Sequence, residues 1–232
     1  DIDIHAVEVA KFSLLIKLIE DETAPSVAEV VPILPDLGDN IQFGNSLVSQ
    51  TELNGISSAN RQMMEIAPFD WSTINNGCGF DVIIGNPPYV NTEGMHALLP
   101  SAEVEVYKKK YKTSHKQFDK YFIFIEQAIN KINENGLVCY IVPNKFFKIG
   151  AGEKLRNLIA KERMLVSLDD FGDAQLFEDK TIYSSIILLS KAKQTSFVYS
   201  SVDSANKLWA GEEVSSSPAH SLLAESTLLY TK

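Results

Sequence analysis

The stretch Val82-Ile83-Ile84-Gly85-Asn86-Pro87-Pro88-Tyr89 limits what this chain can fold into more than any other. A short apolar run closed by glycine reads as a buried parallel strand. Neither proline can donate to a ladder, and each fixes φ near about −65°, so the strand must end there and the turn after it is stiff. That turn holds an amide side chain and an aromatic ring at the carboxyl end of a strand, the edge at which ligands bind in open α/β sheets. The plainer alternative is a proline turn that only stops a strand, with Tyr89 packing nearby.

The rest of the chain supplies alternating helices and strands. Asp1-Ile2 reads as a strand end, and Asp3 as the N-cap of a helix over about 4–19, with Val7, Ala10, Leu14, Leu15 and Leu18 as its apolar stripe. Residues 21–39 hold Pro25, Pro32 and Pro35, which exclude a long regular element. Asn40-Ile41-Gln42-Phe43 alternates like a short strand closed by Gly44-Asn45-Ser46. Residues 48–79 and 90–117 read as long connections, the first with one helical turn near Arg61 and with Trp71 packed in the core. Asp119 starts a helix apolar nearly all round, hence buried, and Asn135-Gly136 closes it as a left-handed cap. Strands follow at 137–142, 164–168 and 181–189, with a helix at 152–162 between the first two. This alternation predicts an α/β fold with a mainly parallel sheet. From Lys191 onward serine and threonine crowd the sequence, so we expect one domain over 1–190 and, over 191–232, a linker or the start of another domain.

Composition narrows the class. The chain has 232 residues, 45% hydrophobic and 22% charged, as in soluble globular proteins. No apolar run reaches the ~18 residues of a membrane span, and no signal peptide is visible. Two cysteines, Cys78 and Cys139, lack metal-ligand spacing and point to a reducing compartment, the cytoplasm. A net charge of −9 argues against a broadly basic surface. One local exception is the run Lys108, Lys109, Lys110, Lys112 and Lys116, with His115, and with Tyr107 and Tyr111 interleaved. It is either a solvated face or a grip on a phosphate backbone.

Asn86-Pro87-Pro88-Tyr89 after a strand resembles motif IV of the amino-methyltransferases, which methylate a planar, amide-like nitrogen. Further stations extend the likeness over most of residues 1 to about 190. They are Phe69-Asp70-Trp71, Tyr111-Lys112, Phe118-Asp119, Ile141-Val142-Pro143-Asn144-Lys145-Phe146, Leu155-Arg156, Asp170-Phe171-Gly172, Phe177-Glu178 and Thr181. Together they resemble the N6-adenine DNA methyltransferases of restriction-modification and related phage-defence systems.

The resemblance implies a Rossmann-like sheet of seven strands, the last antiparallel, that binds S-adenosylmethionine (SAM). The family's first strand and glycine loop would lie upstream of Asp1, so it also implies an N-terminally truncated sheet. On the family pattern Asp1 takes the SAM ribose hydroxyls, Asn45 accepts from the SAM adenine amine, and Asn86 borders the cofactor. The Asn86 side-chain oxygen and the Pro87 carbonyl accept from the two amino protons of the target adenine. Tyr89 and Phe177 stack on the flipped base, with Phe146 a lesser lining residue, and no metal is required. The partner implied is double-stranded DNA, together with a target-recognition domain and a restriction or ATPase component that this sequence does not contain. Two other readings stay open: a release-factor glutamine methyltransferase, whose substrate amide poses the same chemical problem, and a non-catalytic module that binds nucleic acid.

Overall fold

The computed structural model describes residues 1–20, 35–74, 77–175, 182–201 and 216–221, the last by backbone alone. The chain divides into two compact units, Asp1–Trp71 and Ser72–Lys232.

In the first unit, helix α1 (Ile4–Ile19) starts where the sequence places it: the Asp3 carboxylate accepts from the amides of His5 at 2.8 Å and Ala6 at 3.4 Å. Its expected apolar stripe is not a buried face. Val7 is buried, whereas Leu14 and Leu18 are exposed along with Val9, Phe12 and Ile16. Apolar residues ring the helix, so no polar side sets one face apart. The Asp1 amine donates to the Gln42 carbonyl at 2.9 Å, and the Gly44 amide donates to the Asp1 carbonyl at 2.7 Å. These two bonds tie Asp1 to Gln42 and Gly44, but the short strand expected at 40–43 does not form: the Asn40 and Ile41 amides both close a turn on the Leu37 carbonyl.

Residues 48–74 are more regular than their asparagine and serine content suggests. They form a 3₁₀ turn, Gln50–Leu53, and helix α2, Ala59–Ile66. Leu47, Val48, Leu53, Ile56, Ala59 and Ile66 are buried among them. A few inward apolar residues at the right spacing outweigh a polar average. Trp71 is half-buried, not a core residue: its indole donates to the Ser46 carbonyl at 2.8 Å, and Phe69 meets its ring edge to face at 5.1 Å.

The second unit is built on a six-stranded sheet. Its strands are β1 (Phe80–Gly85), β2 (Ile132–Pro143), β3 (Leu165–Gln175), β4 (Tyr183–Ser190), β5 (Ser196–Ser201) and β6 (Ser216–Ser221), in the order β1-β2-β4-β3-β5-β6. β1 and β2 are parallel, β4 runs antiparallel to both β2 and β3, and β5 is parallel to β3. The class is the Rossmann-like α/β that the resemblance implies, with β4 antiparallel, but the sheet is mixed rather than mainly parallel, since β6 also runs antiparallel to β5. Its topology brings the carboxyl ends of β1, β2 and β3 to one edge. Helix α3 (Thr92–Leu98), α4 (Ser101–Lys110), α5 (Lys120–Lys131) and α6 (Glu153–Lys161) complete the unit. Among the described residues, no helix is long and apolar enough to cross a membrane.

Four expectations change. β1 is parallel, as predicted, but it lies at the edge of the sheet, and Val82 and Ile84 are exposed. The connection at 90–117 is largely helical, because Met95, Val104, Val106 and Tyr107 are buried between its polar residues. α5 is buried as expected, but it ends at Lys131, and Gly136 lies in β2 rather than in a left-handed cap. A Cβ there would stand 2.7 Å from the Phe80 carbonyl oxygen and 2.7 Å from the Ile132 Cβ, so close approach explains the glycine. The sheet also continues past residue 190, since β5 adds to β3 with serine-rich residues that lack apolar alternation.

Gly152, just before α6, serves the same purpose. A Cβ on it would meet the Phe146 carbonyl oxygen at 1.9 Å, whereas one on Gly150 would meet nothing. Gly152→Ala should therefore destabilise the unit by about 1–3 kcal/mol, the usual cost of overpacking. Gly150→Ala should stay within about 0.5 kcal/mol, both read by urea denaturation.

Candidate active site

The carboxyl edge of the sheet collects polar side chains from the connections after β1 and β2 and from β3 itself. After β1, Pro87 is buried while Asn86 and Pro88 are exposed. Tyr89 folds back, so that its hydroxyl reaches both the Asn86 Oδ1 and, at 3.0 Å, the Ile141 carbonyl of β2. Its ring stands edge-on to Tyr121 of α5, with centroids 6.1 Å apart. Tyr121 is fully buried, packs edge to face on Phe122 and Phe146, and donates to the Pro143 carbonyl at 3.3 Å. Burial pushes the Tyr89 phenol up to about 12, because the anion would lose water it cannot replace.

The turn after β2, Asn144–Phe147, is fastened from several sides. The Asn144 amide donates to the buried Asp170 carboxylate of β3 at 2.8 Å and to the Gly172 carbonyl at 3.2 Å. Lys145 forms an ion pair with Asp119 at 2.9 Å, and Lys148 lies 3.7 Å from Asp170. Buried Arg156 of α6 donates through Nη1 to the carbonyls of Phe146 and Ile149, at 2.5 and 2.6 Å. Asp170 also accepts from the Gly172 amide at 3.0 Å and the Tyr199 hydroxyl at 3.3 Å. A buried carboxylate is tolerated when its oxygens are filled in this way. Asp119 precedes α5 but makes no capping bond to it, and its charge goes to Lys145 instead.

The structure brings Asn86, Pro87 and Tyr89 together at this edge. Asp1 and Asn45 come together in the first unit, where the Asp1 backbone bonds to Gln42 and Gly44, just before Asn45. The Asp1 carboxylate accepts from the Asp3 amide at 2.9 Å and is exposed. Asn45 is buried, and its Oδ1 accepts from the Leu47 amide at 3.1 Å. Phe177 lies outside the described residues. Phe146 is buried, held against Tyr121 and Phe147, so it belongs to the support rather than the lining.

The lysine run falls on the last turn of α4 and the loop after it. Lys109 pairs with Glu105 at 2.6 Å, Lys108 lies 3.3 Å from the His96 ring, and Lys110 sits over the Tyr111 ring. Three lysines at a helix carboxyl end also suit its dipole. Lys112 and Lys116 are exposed. The loop between them is fixed by buried Glu126, which accepts from the Lys112 and Thr113 amides and the Thr113 hydroxyl at 2.8–3.0 Å. Tyr121, Asn144 and Asp170 took no part in the sequence-derived site, and Asp119 entered only as a helix start and, with Phe118, as a station of the family resemblance. Asn144 and Asp170 do lie within the stations of family resemblance, and that was the available signal.

Residues 1–177 match the Eco57I restriction-modification methylase family. The chain is 41% identical over 213 residues to the type II restriction enzyme and methyltransferase RM.Eco57I of Escherichia coli, across 92% of this chain and 20% of that protein. It is 31% identical over 113 residues to the type II methyltransferase M.PaeR7I of Pseudomonas aeruginosa, across 48% of this chain and 19% of the relative. Among solved structures, a putative class I S-adenosylmethionine-dependent methyltransferase from Listeria monocytogenes superposes with a TM-score of 0.44 at 19% identity, over 58% of this chain and 40% of that one. The chain thus spans about a fifth of the length of the curated relatives it matches.

The phenols give a direct check on this geometry. Tyr89 and Tyr140 are each pushed up to about 12 by burial, against about 10 for an unfolded tyrosine. Between pH 10 and 12 the unfolded chain therefore binds fewer protons than the folded one, and stability must fall as pH rises through that window. Absorbance titration at alkaline pH should show a late-ionising class of phenols, and Tyr89→Phe should remove one member of it.

Proposed function

Because this chain belongs to the Eco57I restriction-modification methylase family, we propose that it carries the amine-accepting part of a DNA adenine methyltransferase. The reaction is transfer of a methyl group from SAM to the exocyclic N6 amine of an adenine flipped out of the duplex. The observation that supports this most is the Asn86-Pro87 pair at the carboxyl end of β1, with the Asn86 side chain held by the Tyr89 hydroxyl.

An adenine amine is a poor nucleophile, because its lone pair is delocalised into the ring. The Asn86 side-chain oxygen and the Pro87 carbonyl accept its two protons. Two acceptors at tetrahedral angles draw the nitrogen out of the ring plane and concentrate its lone pair. They are in place before reaction, so they stabilise the positive charge that develops on the nitrogen without reorganising. The Tyr89 ring offers a face for the base, a contact worth about 1–3 kcal/mol, and Phe177 is its opposing partner on the family pattern. The phenol stays neutral at physiological pH and takes no proton in the reaction.

SAM, when bound, supplies an electrophilic methyl on sulfur. The residues that suit it are Asp1, whose exposed carboxylate keeps acceptor capacity for a ribose diol after binding one amide, and Asn45, a buried side-chain amide whose oxygen is an acceptor. On the family pattern Asn86 is a further cofactor-side residue. Lys108, Lys109, Lys110, Lys112 and Lys116 are the contacts to the DNA backbone, and sequence recognition and any restriction or ATPase activity belong to other parts of the assembly.

The test is transfer of labelled methyl from SAM by the intact protein, with adenine-containing duplex DNA, RNA and a release-factor protein offered separately. Label should appear on DNA adenine, and Asn86→Ala should lower its rate by about 10²–10³-fold, as loss of a pre-organised polar group does. Label on a protein glutamine would keep the chemistry and change the substrate.

A further inference from the structure

The Tyr89 hydroxyl has one proton and two neighbours that can accept it, the Asn86 side-chain oxygen and the Ile141 carbonyl. Both cannot have it fully, and the sheet decides between them. In the β1–β2 register Gly85 lies opposite Tyr140, so Ile141 is one step beyond, opposite Asn86. A parallel ladder continuing there would satisfy the Ile141 carbonyl with the N–H of residue 87. Residue 87 is proline and has none. The Tyr89 hydroxyl, 3.0 Å from that oxygen, is the donor that replaces it.

With the phenol proton on Ile141, the phenol oxygen is left as an acceptor. The Asn86 amide can supply a donor by a half-turn that exchanges its oxygen and nitrogen. We propose that Tyr89 is a positioning residue acting through its hydroxyl: a relay from Asn86 Nδ2 to the Tyr89 oxygen, and from the Tyr89 proton to the Ile141 carbonyl, locks the Asn86 Oδ1 toward the substrate. This rests on the amine-methylation reading and deepens it. In the opposite orientation Asn86 would present N–H groups to the substrate's own N–H groups, and the two sets of donors would repel. In the relay orientation the site shows only acceptors, Asn86 Oδ1 and the Pro87 carbonyl. It therefore selects a substrate nitrogen that carries two protons and disfavours ring nitrogens, which are themselves acceptors.

The experiment is Tyr89→Phe in the intact protein, which keeps the ring and removes the hydroxyl. Single-turnover methyl transfer should slow by about ten- to hundredfold, the scale of a misplaced reacting group. KM for DNA and SAM affinity should remain within about twofold, because a change confined to kcat marks an interaction made only in the transition state. A role in stacking alone would leave the Phe variant at wild-type rates, and a loosened binding site would raise KM instead; either outcome overturns the relay.

The second arm repeats the substitution in an Asn86→Asp background. A carboxylate has acceptors at both ends and needs no hydroxyl to choose its orientation, so the loss should shrink to about threefold or less, a coupling that the double cycle isolates. An equal loss in both backgrounds overturns the relay, as does a Tyr89→Phe protein that turns over like the wild type. In those cases methylation of DNA adenine by the wild type leaves the reading itself standing. A wild type that labels no amino nitrogen removes the reading and the relay together.

Discussion

A proline has no N–H, and two of them placed directly after β1 shape this site. They stop the ladder at Gly85 and turn the chain out of the sheet. They also leave a β2 carbonyl without its expected donor. Tyr89 bends back to fill that vacancy, and its ring comes to rest edge-on to buried Tyr121. The side chains that face a substrate are thus fixed by the same hydrogen-bond accounting that governs the sheet. One motif is both the end of a structural element and the start of a functional one.

The neighbouring connection is held by buried charge. Asp119 and Asp170 each pair with a lysine on the turn after β2 or just beyond it, and Arg156 fastens two of its carbonyls from α6. Burying a carboxylate or a guanidinium is costly unless its bonds are completed. Where they are completed, as at Asp170, removing one partner leaves another unsatisfied. The turn is therefore specified by several elements at once, from β3, α5 and α6. A site assembled this way depends on packing far from its exposed atoms, and Gly152, which leaves room for the Phe146 carbonyl, is part of that support.

Much of this was legible in the sequence because it is local. The apolar run and its prolines set β1 and its end, Asp3 announced α1, and the apolar girth of α5 announced its burial. Other features were hidden by averaging. Residues 48–74 and 90–117 look polar overall, yet a few apolar residues, such as Leu53, Ile66, Met95 and Tyr107, are spaced to turn inward and build helices. β5 has no apolar alternation because its place comes from pairing with β3, not from an inward face of its own. The lysine run was visible, but its pairing with Glu105 and its place at a helix end were not.

What the sequence determined alone was a strand that must stop, a rigid turn bearing an amide and a phenol, and the alternation of an α/β sheet. Each follows from dihedral limits and periodicity within a few residues. What only the tertiary structure decided was which distant groups meet at that turn: Ile141 beneath Tyr89, Asp170 beside Asn144, and Asp119 on Lys145 rather than on its own helix. Those choices join residues tens of positions apart, and no local pattern encodes them. They arise when the strand register and helix packing bring unfilled donors and acceptors within reach of one another.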